Sequence, residues 1–453
     1  MSSPDTTTSA PSAPSAAAAP PAPLTPEAAR RAFLTLTVTR WLPVGFVAGI
    51  LTLYQLDNGL SIAQALTTTA VTGWVVLALE LPTSGFADIF GRRPVYVVSA
   101  IANVAAAVAL LLADSFWTFA LSSALFGVFR ALDSGPLEAW FVDTVHATTP
   151  GADVDRTLAR QGTLLGISMA LGSLATGGLV LWAPMPGWSA LTLPVVVFVV
   201  LNALHLLATV VLMKEDRPHP TGGTALHRAA RSARETPAVI RAGLGLVRRN
   251  RVLQGLVLVE ACWSVTMVVF ETFQPVRLSE LLGSTEEAGA WMGAVAALGW
   301  GIFALGAALA GWATPRWGVA RTAVVARVLN SLGAIVMGLA LGPVALVAAY
   351  LFTYAMHGSC GPSHSALLHR EATSANRATV LSLNSMTAFG AFALATPLLG
   401  LLATATTTPT AMVTGGAVGL AGAVFYRAAV RAERQAGRQA GRQAGPVTAP
   451  PSP

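Results

Sequence analysis

Charge is what this sequence has least of. Asp, Glu, Lys and Arg make up 11% of its 453 residues, against roughly 25% in soluble domains, and 54% are hydrophobic. That balance argues against a soluble two-domain enzyme. Lysine is nearly missing: Lys214 is the only one, so the positive charge is almost all arginine, a matter of codon usage rather than chemistry. No glycine-rich phosphate loop carries a lysine, which argues against ATP-driven pumping. The two cysteines, Cys262 and Cys360, both fall inside apolar runs. They make neither a disulfide framework nor a metal-ligand spacing, and they read as small buried apolar residues. Asp153-x-Asp155 is the only close acidic pair in a loop, without the companion cluster a membrane-embedded enzyme needs. No metal or cofactor is expected. The N-terminus lacks the basic start and apolar core of a signal peptide. Residues 1–29 are rich in Ser, Thr, Pro and Ala and predict a disordered tail; so do residues 429–453, with their Arg-Gln-Ala-Gly repeat.

What is present is a series of apolar runs, each near the ~20 residues a helix needs to cross a bilayer. Twelve spans are expected, the first at Phe33–Gln55, the second at Ile62–Ser84, the fourth at Phe116–Trp140 and the last at Thr410–Tyr426. The arginines test this count. Of 28 basic residues, only Arg277 falls on one side of the resulting topology, and Arg40, Arg130 and Arg327 lie within spans. The rest share the other side, which the positive-inside rule makes cytoplasmic, with both termini. A net charge of +7 spread over these loops is explained by membrane lipid, not by nucleic acid. The fold class is therefore an all-α membrane protein.

A basic connection at 214–251 splits the spans into six-helix units at 30–213 and 252–428. The units echo each other. Gly135-Pro136 and Gly361-Pro362 recur at the same interval as Gly85 and Gly311, and Gly311–Gly318 is expected to form a glycine loop after the second span of its half, as the loop at Gly85 does in the first; duplicated six-span units are a mark of transporters that rock one half against the other. Within the connection, Thr224–Leu246 reads either as an amphipathic helix on the inner surface or as a plain linker.

The turn between spans two and three reads Gly85-Phe86-Ala87-Asp88-Ile89-Phe90-Gly91-Arg92-Arg93-Pro94. With Arg130-Ala131-Leu132-Asp133-Ser134-Gly135 in span four and Arg377-Ala378-Thr379-Val380 opening span eleven, it resembles the major facilitator superfamily of transporters. The resemblance covers about Arg30 to Arg427. In span five, Gly166, Gly172, Gly177 and Gly178 line up with the glycines of the family's antiporter motif, without its proline. The resemblance implies a bundle of twelve helices in two pseudo-symmetric halves, alternating access, and Arg130 modulating a proton-carrying carboxylate. It also implies a gate at Asp88, with Gly85, Gly91, Arg92 and Arg93, closing against the stretch that begins at Arg377.

Ionisable side chains at membrane depth need a partner or a water-filled cavity. Arg130 and Asp133 share a helix face, so they read either as a local ion pair or as the proton-coupling group. Glu260 in span seven is the other expected proton site. It either pairs across the halves with Arg40 of span one, or each finds its own partner. Glu271 is expected at the outer end of span seven, reaching the headgroups beside Arg277, and Arg327 is expected at the periphery. Trp263, Phe270 and Trp300 are expected, with Arg40, to line the substrate cavity. Few charges and many aromatics fit a lipophilic or amphipathic substrate better than a sugar or phosphate; with what the resemblance implies, the expected function is proton-coupled efflux of a small, fairly apolar organic compound by a monomer of the plasma membrane. Proton-coupled uptake or facilitated diffusion of a metabolite is the alternative, and a non-transporting sensor on the same fold a third.

Overall fold

Each expected span corresponds to a helix or a broken helix, and the breaks are informative. The computed structural model describes residues 24–83, 86–183, 187–215, 241, 243–373 and 376–443, and among them there is no strand. In the first half, α1 is Pro26–Ala48, continuing after a bend of 45° as Leu51–Asp57. It is followed by α2 (Ile62–Thr83), a short turn of helix at Phe86–Phe90, and α3 (Arg92–Leu111). Then come α4 (Phe116–Asp133, resuming as Pro136–Thr148), α5 (Asp155–Trp182) and α6 (Thr192–Leu212). In the second half, α7 is Arg251–Val268, a π-helical turn at Val269–Phe273, and Gln274–Leu282. After it come α8 (Thr285–Trp317), α9 (Val319–Leu339), α10 (Pro343–Glu371), α11 (Arg377–Ala405) and α12 (Thr408–Gly422, ending as Arg427–Gln443).

Among the described residues, ten helices are long and apolar enough to cross a membrane, or eleven when the bent α1 counts as one. The helix outside that count is α4, which carries Arg130 and Asp133 and breaks at Gly135 (φ 93°), with Pro136 opening the next helix. The matching Gly361-Pro362 causes no break: α10 runs straight through it. Helix starts are set by side chains that take up the free amides of the first turn. Asn250 does this for Val252 and Leu253, Ser284 for Glu287 and Thr407 for Thr410.

The halves meet along α2 against α11 and α5 against α8. Glycines make the second of these crossings close: a methyl on Gly293 of α8 would lie 2.5 Å from the Gly177 Cα, and within the first half one on Gly172 would lie 2.5 Å from the Leu42 carbonyl of α1. Glycine at these crossings lets the backbones touch; Gly166 and Gly178 face open space.

The apolar core is asymmetric along the membrane normal. Away from the arginines, one cluster runs across both halves, with Phe46, Ile50 and Leu53 of α1 in the same core as Met292 and Val295 of α8. Thr285 donates to Asp57 (3.1 Å) and the Ala190 amide donates to Glu286 (3.1 Å) across the halves at that end. Towards the arginine-rich end the core splits in two. Phe33, Leu36, Trp140 and Phe141 pack in the first half, and Leu253, Leu256, Leu367 and Tyr426 in the second.

Three expectations change. The loop expected from Gly311 to Gly318 is helix up to Trp317, leaving Gly318 alone as the turn. The arginine-rich repeat expected as disordered from 429 is helical to Gln443, because Glu433 anchors it, as described below. The connection expected at 214–251 begins inside the fold: the Lys214 carbonyl accepts from Trp140 Nε1 at 2.8 Å. Its middle, with most of the proposed amphipathic helix, lies outside the described residues, as do residues 1–23.

Candidate functional site

A cavity of about 490 Å³ lies mainly within the first half and is closed on one side by α11. Its walls are apolar and aromatic, with Trp41, Phe126 and Phe129 facing Phe389 and Phe392, and Met267 of α7 at its edge. The charges in this wall are Arg40 and Arg130. Arg40 is buried and binds Asp133 through two nitrogens, Nη2 to Oδ2 at 2.9 Å and Nε to Oδ2 at 3.2 Å. Its guanidinium also lies over Phe129 (4.3 Å) and Trp41 (4.7 Å). Planar guanidinium suits both contacts at once. Arg130 is exposed to the cavity, and among the described residues no hydrogen bond joins it to Asp133. Arg40, Asp133 and Glu80 are near enough to act on it through space. Glu80 in turn accepts from Ser385 of α11 at 3.2 Å, a hydrogen bond between the halves.

The expected Arg40–Glu260 pair does not form. Arg40 takes Asp133, and Glu260 takes Arg327 of α9, Oε2 to Nη2 at 2.7 Å. Arg327 is therefore buried in the second half rather than peripheral. It also sits over Trp263 (4.2 Å) and reaches Tyr426 Oη at 3.5 Å, while His364 Nδ1 is 2.8 Å from the same hydroxyl. Nor do Arg130 and Asp133 pair locally, because Asp133 turns towards α1.

Trp263, Phe270 and Trp300 do come together, but in a different wall from that of the 490 Å³ cavity. The His357 ring of α10 stacks on Trp263 (5.3 Å) and packs on Phe270 (5.1 Å), and Trp300 meets Tyr354 (6.2 Å). Glu271 joins this wall: Tyr354 Oη donates to Glu271 Oε1 at 3.0 Å, whereas Arg277 pairs with Glu280 at 2.9 Å. The headgroup expectation for Glu271 fails because the π turn at Val269–Phe273 changes the facing of the helix. Sequence reasoning also passed over His205, His357 and His364. The signal was there, since each is an ionisable residue inside an apolar run.

At the expected gate, Gly85 and the Asp88 side chain lie outside the described residues, so the Asp88 contact with the start of α11 does too. Arg377 is exposed at the first position of α11. Gly91 (φ 102°) caps α3, whose Arg92 and Arg93 amides donate to Glu215 at 3.0 and 2.8 Å. Arg92 Nε also reaches Asp143 at 3.4 Å. The second half repeats the device. Gly318 (φ 86°) caps α9, and the Val319 and Ala320 amides donate to Glu433 at 3.0 and 3.1 Å. An anion at a helix N-terminus is stabilised by the amides and the helix dipole together.

A family model described as Major Facilitator Superfamily matches residues 33–358. No curated protein matches the chain in sequence. Among solved structures, the nucleoside transporter NupG, as its D323A mutant, is similar with a TM-score of 0.73 at 12% identity, over 88% of this chain and 99% of that one. The peptide transporter POT in complex with sulfate is similar with a TM-score of 0.68 at 18% identity, over 90% and 94% of the two chains.

Proposed function

The chain belongs to the major facilitator superfamily and is thus a membrane transporter rather than an enzyme; on that premise we propose that it exports a small, largely apolar organic compound in exchange for protons. The observation that carries this reading is the cavity of about 490 Å³, whose apolar and aromatic walls hold the exposed Arg130 and the buried Arg40, itself bound to Asp133. Apolar walls give a lipophilic body its binding energy through burial. Asp133 is assigned the proton-exchanging role, because its carboxylate is bound to Arg40 and any movement of that partner changes what holds it; Arg40 and Arg130 are its modulators. Glu260, also expected as a proton site, is held by Arg327 away from the cavity, which supports a structural role.

The split core at the arginine-rich end and the shared core at the other support a molecule closed to the outside. With the arginines cytoplasmic, both termini are inside and the protein is a monomer of the plasma membrane. The gate is assigned to the α2–α3 turn at Asp88, with Gly85, Gly91, Arg92 and Arg93, working against the start of α11 at Arg377. Uptake of a more polar metabolite is the second reading, favoured by the likeness to a nucleoside transporter and a peptide transporter; the apolar cavity weighs against it.

Proteoliposomes with an imposed pH gradient test the reading. Lipophilic compounds accumulate with the gradient in the wild type, and Asp133→Asn abolishes the response to the gradient. Accumulation indifferent to the gradient overturns the coupling.

A further inference from the structure

The turn between α8 and α9 is the single residue Gly318, and the two helices part from it: each packs along α10, and they touch each other little. Between them lies a second cavity, of about 180 Å³, with walls that include Leu309, Ala310 and Trp312 of α8, Val325 and Leu329 of α9, and Met356 of α10. It shares no lining residue with the 490 Å³ cavity, and none of its walls belongs to the first half. Leu309, Trp312, Trp317 and Val325 are each 41% exposed or more, so it is a groove open at the surface of the bundle. The two hydroxyls along it carry no free proton: Thr322 donates to the Gly318 carbonyl at 2.9 Å and Ser359 to the Gly306 carbonyl at 2.6 Å. The groove is therefore apolar, and in a bundle that crosses a membrane it faces lipid. Lipid tails are all about as apolar as leucine, so the groove alone does not choose between lipids. That choice falls to its rim.

The rim is aromatic and basic. Trp312 and Trp317 meet edge to face at 5.9 Å at the arginine-rich end of α8, and tryptophan favours the level where lipid tails give way to headgroups. Arg316 lies over the Trp312 ring at 4.3 Å, and its Nη1 donates to the Trp312 carbonyl at 2.6 Å, so its charge is held beside the groove. Across Gly318, Arg321 is exposed in the first turn of α9. Among the described residues neither arginine pairs with a carboxylate. The acid at this turn, Glu433, is taken by the Val319 and Ala320 amides and by Arg370, at 2.8 Å.

We propose that this groove is a specific site for an anionic phospholipid of the leaflet at the arginine-rich end, with one acyl chain between α8 and α9 and the phosphate held by Arg316 and Arg321. The planar fork of a guanidinium suits the oxygens of a phosphate, and basic side chains at the membrane surface favour anionic headgroups over zwitterionic ones. The Trp312 and Trp317 rings cover the upper part of the chain, where it meets the glycerol. The site goes beyond the export reading and does not depend on it.

The probes are phosphatidylglycerol and phosphatidylcholine carrying bromine on the same acyl chains, so that only the headgroup differs. Bromine quenches tryptophan fluorescence on contact. Each lipid is titrated into the purified protein in a nonionic detergent. Quenching that disappears in a Trp312→Phe, Trp317→Phe variant belongs to this groove, because other exposed tryptophans such as Trp117 and Trp182 remain. In the wild type, phosphatidylglycerol half-saturates this signal at a concentration lower than phosphatidylcholine by roughly tenfold or more, an amount two arginines at a charged headgroup supply. Arg316→Gln combined with Arg321→Gln brings phosphatidylglycerol to the level of phosphatidylcholine; both side chains are exposed, so the fold stays in place. Equal half-saturation by the two lipids in the wild type is the behaviour of ordinary surrounding lipid and overturns the proposal. So does a preference that survives the loss of both arginines. If the phenylalanine variant does not fold, native mass spectrometry decides: the wild type retains phosphatidylglycerol that the arginine variant loses, and equal retention overturns the site.

Discussion

The two halves hold the same four chemical groups on corresponding helices, in exchanged positions. In the first half Arg40 is on α1, Tyr96 on α3, Asp133 on α4 and His205 on α6. In the second, Glu260 is on α7, Arg327 on α9, His364 on α10 and Tyr426 on α12. Each set has one arginine, one acid, one histidine and one tyrosine. Each arginine binds its acid, at 2.9 and 2.7 Å, and each histidine meets its tyrosine, at 3.4 and 2.8 Å. What differs is the surroundings. Exposure is nearly the same in both pairs, 3% and 4% for the arginines and 13% and 10% for the acids, but Arg40 lies in the wall of the cavity of about 490 Å³, whose lining includes neither Arg327 nor Glu260. One duplicated polar knot thus borders the cavity through its arginine. The other is packed away as a brace.

The sharpest break of this comparison removes each arginine. Arg327→Ala leaves Glu260 charged in a closed interior and is expected to cost about 3–5 kcal/mol, seen as a large drop in thermal unfolding temperature. Arg40→Ala leaves Asp133 beside the cavity, where water replaces the lost partner, and is expected to cost about 1–2 kcal/mol. Equal losses end the distinction between an open and a closed knot. Next come the two carboxylate clasps. Glu433→Gln and Glu215→Gln are each expected to cost about 1–2 kcal/mol. Hydrogen exchange reads the effect locally, with faster exchange at the Val319 and Ala320 amides in one variant and at Arg92 and Arg93 in the other. Exchange that stays slow shows that the amides hold without the anion. The smallest effects belong to the tyrosines. Tyr426→Phe loses a short hydrogen bond to His364 and is expected to cost about 1 kcal/mol. Tyr96→Phe loses a longer one and is expected to cost roughly a few tenths of that. The same thermal assay ranks them.

Much of the fold was legible because its signals are local. Apolar runs mark helices, and arginine placement orders the ends, which is enough for a twofold bundle. Which charged residues meet was not legible. Spacing tells which face of a helix a residue occupies, but not which neighbour that face is turned to. Arg40 and Glu260, on equivalent helices, looked like partners across the halves, yet each turns back into its own half. Glu271 was misplaced because a π turn leaves no mark in the residue pattern. Gly311 looked like a loop residue, but its run of small residues simply continues α8. Glu215 and Glu433 were unremarkable in sequence, as each follows a final span and is defined only by the distant helix it caps.

Those two glutamates bear on biosynthesis. The amides of Arg92 and Arg93 gain their anion only when the ribosome has reached residue 215, after the sixth helix is made. Those of Val319 and Ala320 wait in the same way for residue 433, after Thr408–Gly422 of the twelfth helix is made. The third helix of each half is thus fastened by the last segment of that half to emerge, so the two halves are completed one after the other, each by its own closing stitch.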